Sequence, residues 1–123
     1  MKKLFPVLMV LLAFSSCYND KADVLYPAPA GGCDTTNVTF TNSVLPVMLQ
    51  SCALAGCHNS ATASNGYVLE TYNGIKSCVD AGRFMGSIHH QSGFIEMPQN
   101  APQLNDCNLT KITIWVNAGA PNN

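Results

Sequence analysis

Charge is scarce in this chain. Only 11% of its 123 residues are Asp, Glu, Lys or Arg, against about 25% in an average soluble domain. Arginine occurs once, at position 83. With no basic run or stripe to follow a phosphate backbone, nucleic acid is excluded as an expected partner. Long apolar runs are scarce too. The run from Leu4 to Phe14 falls short of the roughly 20 residues that cross a bilayer, so no transmembrane helix is expected. Residues 17–123 suffice for one domain with a modest core and not for two. So few apolar runs leave that core thin, and a large apolar cofactor would fill it.

The first residues carry an address. Lys2 and Lys3 precede the apolar stretch Leu4–Phe14, the charged and hydrophobic regions of a secretory signal. The stretch ends in Ser15, Ser16 and Cys17. This ending resembles a bacterial lipoprotein signal, which is cut just before the cysteine that then carries lipid. An ordinary signal or a buried N-terminal strand are the plainer readings. The expectation is a signal peptide at 1–16, lipidation at Cys17, and an exported chain held at the periplasmic side or cell envelope by acyl chains. Within 17–123 the four cations Lys21, Lys76, Arg83 and Lys111 stand against seven carboxylates, a formal net of −3. A basic partner patch would find such a surface more easily.

Residues 17–32, "CYNDKADVLYPAPAGG", are polar and rich in Pro, Gly and Ala without a period, and read as a flexible membrane tether. The domain is assigned to 33–123, starting near Cys33 or Val38. In "TFTNSVLPVMLQSC", Asn42 or Ser43 can cap a helix over 43–52, with Pro46 in its first turn. A short extended segment is expected at 67–69 and a helix at 70–80, stopped by Gly82. "GRFMGSIHHQSG" reads as a short helix or turn interrupted by Gly86 and ended by Gly93. In the last element Asn105, Asp106 or Asn108 can cap, and Leu109, Ile112, Trp115 and Val116 repeat at helical steps. Gly119 stands at the C-cap and Pro121 follows. The β-branched run Ile112–Thr113–Ile114 argues for a strand, but the cap and stop favour a helix. The fold class is therefore all-α, with three to four short helices.

Export makes the cysteine count informative. Six cysteines less Cys17 leave an odd number. If Cys52 and Cys57 act together, Cys33, Cys78 and Cys107 remain, enough for one disulfide and one free thiol. The residues leave that pairing open; Cys78–Cys107 would tie two helices together.

The stretch "SCALAGCHNS", residues 51–60, concentrates the chemistry. Covalent haem attachment commonly uses two cysteines three residues apart, about 300° around a helix, with a histidine following. Here the step is five residues, Cys52 to Cys57, which on an unbroken helix leaves the thiols about 140° apart. Both can meet one porphyrin only if the intervening residues leave the helix, and Ala55–Gly56 suits such a bulge. Three readings follow. In the first, Cys52 and Cys57 are thioether links and His58 the proximal iron ligand. In the second, two thiolates and His58 hold zinc with His89 or His90 as a fourth ligand. In the third, Cys52–Cys57 is a local disulfide.

Met97 bears on the choice. It lies beside Glu96 and Pro98 in an irregular polar stretch, where a methionine can be held without a helix to pack, and its soft thioether suits Fe(II). Met48 and Met85, inside helical patterns, read as core. His89 and His90 are the rival axial ligands. Arg83 is a candidate for a haem propionate, as are Tyr67 and Tyr72. Leu54, Tyr67, Leu69, Ile75, Phe84, Ile88, Phe94, Ile95, Leu104 and Trp115 are candidates for an apolar shell.

The cysteine pair with His58, "GYVLETYNGIK", "GRFMGSIHH", "GFIEMP" and "ITIWVNAGAPNN" together resemble small single-haem c-type cytochromes found as exported lipoproteins or domain modules in Bacteroidetes and related bacteria. The resemblance covers most of Cys33–Asn123. It implies a class I cytochrome c-like fold around one covalent haem c, with N- and C-terminal helices crossing and Trp115 against the Val44–Met48 helix. It makes Cys52 and Cys57 the thioether cysteines and His58 and Met97 the iron ligands. It also implies a Cys33–Cys107 disulfide, leaving Cys78 as the odd thiol. The four-residue gap between the cysteines departs from the family, as does "QNAPQL" after Pro98, which lacks a glycine often found there. The implied role is a one-electron carrier rather than an enzyme, meeting redox proteins of the cell envelope and no small-molecule substrate. A cofactor-free, disulfide-stapled binding module is the alternative from another class. A haem domain with bis-His or open-site ligation, serving as sensor or enzyme subunit, is a third.

Overall fold

Thr39 begins the first helical element. Its backbone is extended and its hydroxyl accepts from the Asn42 amide at 3.1 Å. A π-helical turn, Phe40–Val44, leads into α1, Leu45–Ser51. The element therefore starts a turn before the expected 43–52, because its free amide donors find partners far along the chain. Phe40 N–H donates to Asn123 Oδ1 at 2.7 Å, and Thr41 N–H to Asn123 O at 3.0 Å. Pro46 has no N–H for the Asn42 carbonyl, and the wide turn before it accommodates that loss.

The computed structural model describes residues 32–123; the signal, Cys17 and the tether as far as residue 31 lie outside them. Every regular element among the described residues is helical, so the all-α class holds there. No helix among them is long and apolar enough to cross a membrane. A 3-10 turn, Ser64–Gly66, leads to extended backbone at Tyr67 but to no strand at 67–69. Then come α2, Tyr72–Asp80, α3, Phe84–Ile88, and α4, Asp106–Asn117. α2 begins two residues inside the expected start at 70, because Thr71 caps it by accepting from the Gly74 amide at 3.3 Å.

Gly86 does not interrupt α3. It is buried inside the helix, and a Cβ there would meet the Phe94 ring at 2.5–2.6 Å. The glycine admits a ring rather than breaking a helix. At α4, Asn105 is the cap, accepting from the Asn108 amide at 2.9 Å. Gly119, at φ +91°, turns the chain after the C-cap Ala118. The β-branched run is helical because Leu109, Ile112 and Trp115 share one buried face, and that burial outweighs a modest strand preference.

Trp115 joins the two ends of this unit. Its ring lies 5.7 Å from that of Phe40, which also meets Tyr72 edge-on at 5.2 Å. The tryptophan thus meets the turn entering α1. Its indole N–H donates to Pro121 O at 2.8 Å, and the Tyr72 hydroxyl to Ala120 O at 2.9 Å. Val44, Met48, Ile75 and Ile112 complete the interior. These side chains form one continuous cluster.

Cys33 and Cys107 form a disulfide, with Cα atoms 5.4 Å apart, while Cys78 is free. The alternative Cys78–Cys107 pairing is therefore not made. Bridging a separation of 74 residues stabilises by up to about 4.5 kcal/mol on a chain-entropy account.

Gly74 supplies a test of this packing. An exposed helical glycine changed to alanine ordinarily gains about 1 kcal/mol, but here the new Cβ would run into the Val68 carbonyl. Gly74→Ala is expected to lose roughly 1–3 kcal/mol in urea unfolding. Asn73→Ala, exposed on the same helix, should stay within about 0.5 kcal/mol of the parent.

Candidate functional site

The chain leaves α1 at Cys52. Its amide still bonds Met48 O at 2.9 Å, but its φ of −120° departs from the helix, and Ala53 N–H turns back to the same carbonyl at 2.8 Å. A tight turn follows, in which Cys57 N–H donates to Leu54 O at 2.9 Å. Gly56 sits at φ +81° with nothing within 4 Å of a built Cβ. Its requirement is conformational, not steric. His58 N–H then donates to Cys52 O at 3.1 Å and closes the loop. The four intervening residues are folded out, and the first cysteine and the histidine are joined through their backbones.

His58 is fixed by its other ring nitrogen. Nδ1 lies 3.3 Å from Tyr67 O. A carbonyl can only accept, so Nδ1 carries a proton, and Nε2 is the nitrogen that the ring could offer to a metal, the orientation usual for a metal-ligating imidazole. The backbone holds the same arrangement, with Leu69 N–H on His58 O at 2.8 Å and Ser64 N–H on Cys57 O at 3.0 Å. Glu70 accepts from Ser60 N–H at 2.9 Å and pins the loop between them.

Cys52 and Cys57 are both free thiols, Cys52 buried and Cys57 exposed. The local disulfide is therefore not formed. Burial pushes the Cys52 thiol up from 9.0 to about 11, with Cys78 and then Cys57 adding repulsion to its thiolate. Burial likewise pushes Cys78 up to about 11. Both stay protonated at neutral pH.

Met97 is half-buried in a separate loop. Its N–H donates to Ser87 O at 3.1 Å, and its carbonyl lies 3.1 Å from His90 Nε2. Among the described residues no hydrogen bond joins this loop to Cys52–His58. His89 Nε2 lies 3.2 Å from Thr113 Oγ1, whose proton goes to Leu109 O at 2.7 Å, so the imidazole is the donor. Among the described residues no group of three or more His, Cys, Asp or Glu is placed to hold a metal ion. The zinc arrangement of Cys52, Cys57 and His58 with His89 or His90 is thus not assembled. Arg83 lies 5.7 Å over the Phe94 ring.

Of the expected apolar shell, Leu69, Ile75, Phe84, Ile88, Leu104 and Trp115 belong to the packed core. Leu54 and Ile95 remain exposed, at 46% and 60%. An open groove of about 510 Å³ runs along α4 between His89, Gln103 and Ile114, and involves none of the Cys52–His58 loop. Tyr67 was a candidate for its hydroxyl, yet it acts on His58 through its carbonyl. Every residue has that group, so no sequence signal could single it out. No family model, curated protein or solved structure matches this chain.

The thiols predict an alkaline weakness. A pKa raised in the folded state stabilises below the unfolded value and is lost as pH rises through the folded one. The window runs from about 9 to about 11. Urea midpoints across it should fall for the parent chain and fall less steeply for Cys52→Ala/Cys78→Ala. Equal slopes would mean that neither thiol is buried in this way.

Proposed function

We propose that this chain is a one-electron carrier of the cell envelope that holds one haem c. Cys52 and Cys57 would bind it as thioethers, and His58 and Met97 would ligate the iron. The observation that carries the reading is the His58 ring. Its Nδ1 is taken up by Tyr67 O, which makes Nε2 the ring nitrogen open to a metal, in the loop that also holds two free thiols. Attachment needs such thiols, since each S–H adds across a vinyl group, forming a C–S bond and passing its hydrogen to the neighbouring carbon. Leu54 and Ile95, exposed beside these residues in sequence, offer apolar surface to a porphyrin.

Bound haem supplies an Fe(III)/Fe(II) couple, and the protein sets its potential through the axial ligands and the surrounding polarity. His58, oriented by Tyr67, gives a basic imidazole; Met97 gives a soft thioether that favours the reduced state. With both positions filled, no coordination site is left for substrate, and the role is carriage rather than catalysis. The contact between the entrance of α1 and α4, through Phe40 and Trp115, agrees with the crossed terminal helices of a class I cytochrome c-like fold. Lipid at Cys17 would keep the carrier near its redox partners in the envelope.

The test is the full chain matured in cells that attach haem covalently. The parent should keep its Soret band after acid extraction, and Cys52→Ala/Cys57→Ala should lose it. A colourless parent would sink the reading. Rapid binding of carbon monoxide by the reduced protein would retain the haem but remove Met97 as a tight ligand.

A further inference from the structure

We infer that His90 is a positioning residue for Met97, acting on the ligand's backbone rather than competing for the iron. The inference rests on the proposed ligation by Met97, but the contacts that carry it stand in the structure alone. Both polar backbone groups of Met97 are gripped by the end of one helix. Its N–H donates to Ser87 O at 3.1 Å, and His90 Nε2–H donates to its carbonyl at 3.1 Å. The acceptor is a carbonyl, so the proton must sit on Nε2.

The turn that presents this ring is itself well held. His90 stands at φ +50°, in the left-handed region that a glycine would enter freely and other residues rarely do. Its N–H bonds Ser87 O at 3.2 Å, and Gln91 N–H returns to Gly86 O at 2.9 Å. Phe94 packs on Gly86 and bonds Gln91 O through its amide at 3.1 Å, so the chain between His90 and Met97 is folded back onto α3. On its other side the ring is bracketed by Glu96, whose Oε2 lies 3.8 Å from Nδ1, and the side chain is only 21% exposed. To offer Nε2 to any metal, His90 would have to release Met97 O. The same nitrogen cannot serve both, so His90 as clamp excludes ligation through Nε2, and its Nδ1 faces Glu96.

Two substitutions separate the clamp from a bulk effect. His90→Gln places an amide N–H near the position of Nε2, whereas His90→Asn tolerates the left-handed backbone but places its donor near Nδ1, facing Glu96. In the ferric holoprotein, the far-red methionine-to-iron charge-transfer band should be present in the parent, lost in His90→Asn and restored in His90→Gln. In the full chain without haem, exchange of the Met97 amide should be faster in His90→Asn than in the parent and return to the parental rate in His90→Gln. A band unchanged in His90→Asn overturns the inference. A parent without covalent haem defeats the functional reading instead, and the amide exchange then decides: equal rates in parent and His90→Asn overturn the clamp. Should His90→Asn not fold, the ring N–H of His90 is read directly in the parent by nitrogen-15 NMR. Protection from solvent supports the bond to Met97 O, and free exchange overturns it.

Discussion

Burial of Phe40 against Trp115 is the contact on which the rest of this unit depends. It brings the turn at Phe40–Val44 onto α4, and it does so beside Asn123, which takes the amide protons of Phe40 and Thr41. Without its acceptor the buried Phe40 would carry an unpaired donor away from water, at a cost of about 1–3 kcal/mol. The direction of α1 follows from this anchoring. The Cys33–Cys107 bridge ties the start of the same unit to the first turn of α4, adding a covalent restraint at the other end of that helix.

What could be read from the sequence follows the range of the forces involved. The cap and stop of α4 were legible at Asn105 and Gly119, because an N-cap bond spans three residues and a left-handed glycine is set by its own backbone. The exit of Ala55–Gly56 from the helix was legible for the same reason, and Gly56 does adopt positive φ. The early start at Phe40 was not, since its acceptor lies 83 residues away. Gly86 was misread as a break because its need for space comes from Phe94, not from its own helix. The pairing of Cys33 with Cys107 came only through the family resemblance; the residues by themselves left Cys78 equally eligible. Burial of Cys78 against the core is what sets it apart.

The candidate site shows the same division. Residue types nominated Cys52, Cys57, His58 and Met97, but backbone carbonyls organise them. Tyr67 O fixes the tautomer of His58, Cys52 O closes the loop on His58 N–H, and Ser87 O receives Met97. A carbonyl carries no side-chain signature, so only the fold reveals which one acts. The histidines named as rival ligands are also held by contacts the sequence does not display, His89 to Thr113 and His90 to Met97 O, each through Nε2.

These backbone contacts also bear on how the four-residue gap between the cysteines would be accommodated under the proposed haem attachment. On a continuous helix, each added residue would rotate the second thiol by about 100°, and two extra residues would carry it to a different face. Here the helix ends at the first cysteine, so residues 53–56 contribute no rotation. The relation between Cys52 and His58 is instead set by a single bond, His58 N–H to Cys52 O, which fixes the exit and re-entry of the loop whatever its contour. The variable part is then the side chain of Cys57, exposed at the outer edge. Cys52, by contrast, is buried beside the core. The two thiols therefore differ in setting: one is presented by an exposed side chain on a turn, and the other is held by the end of a packed helix.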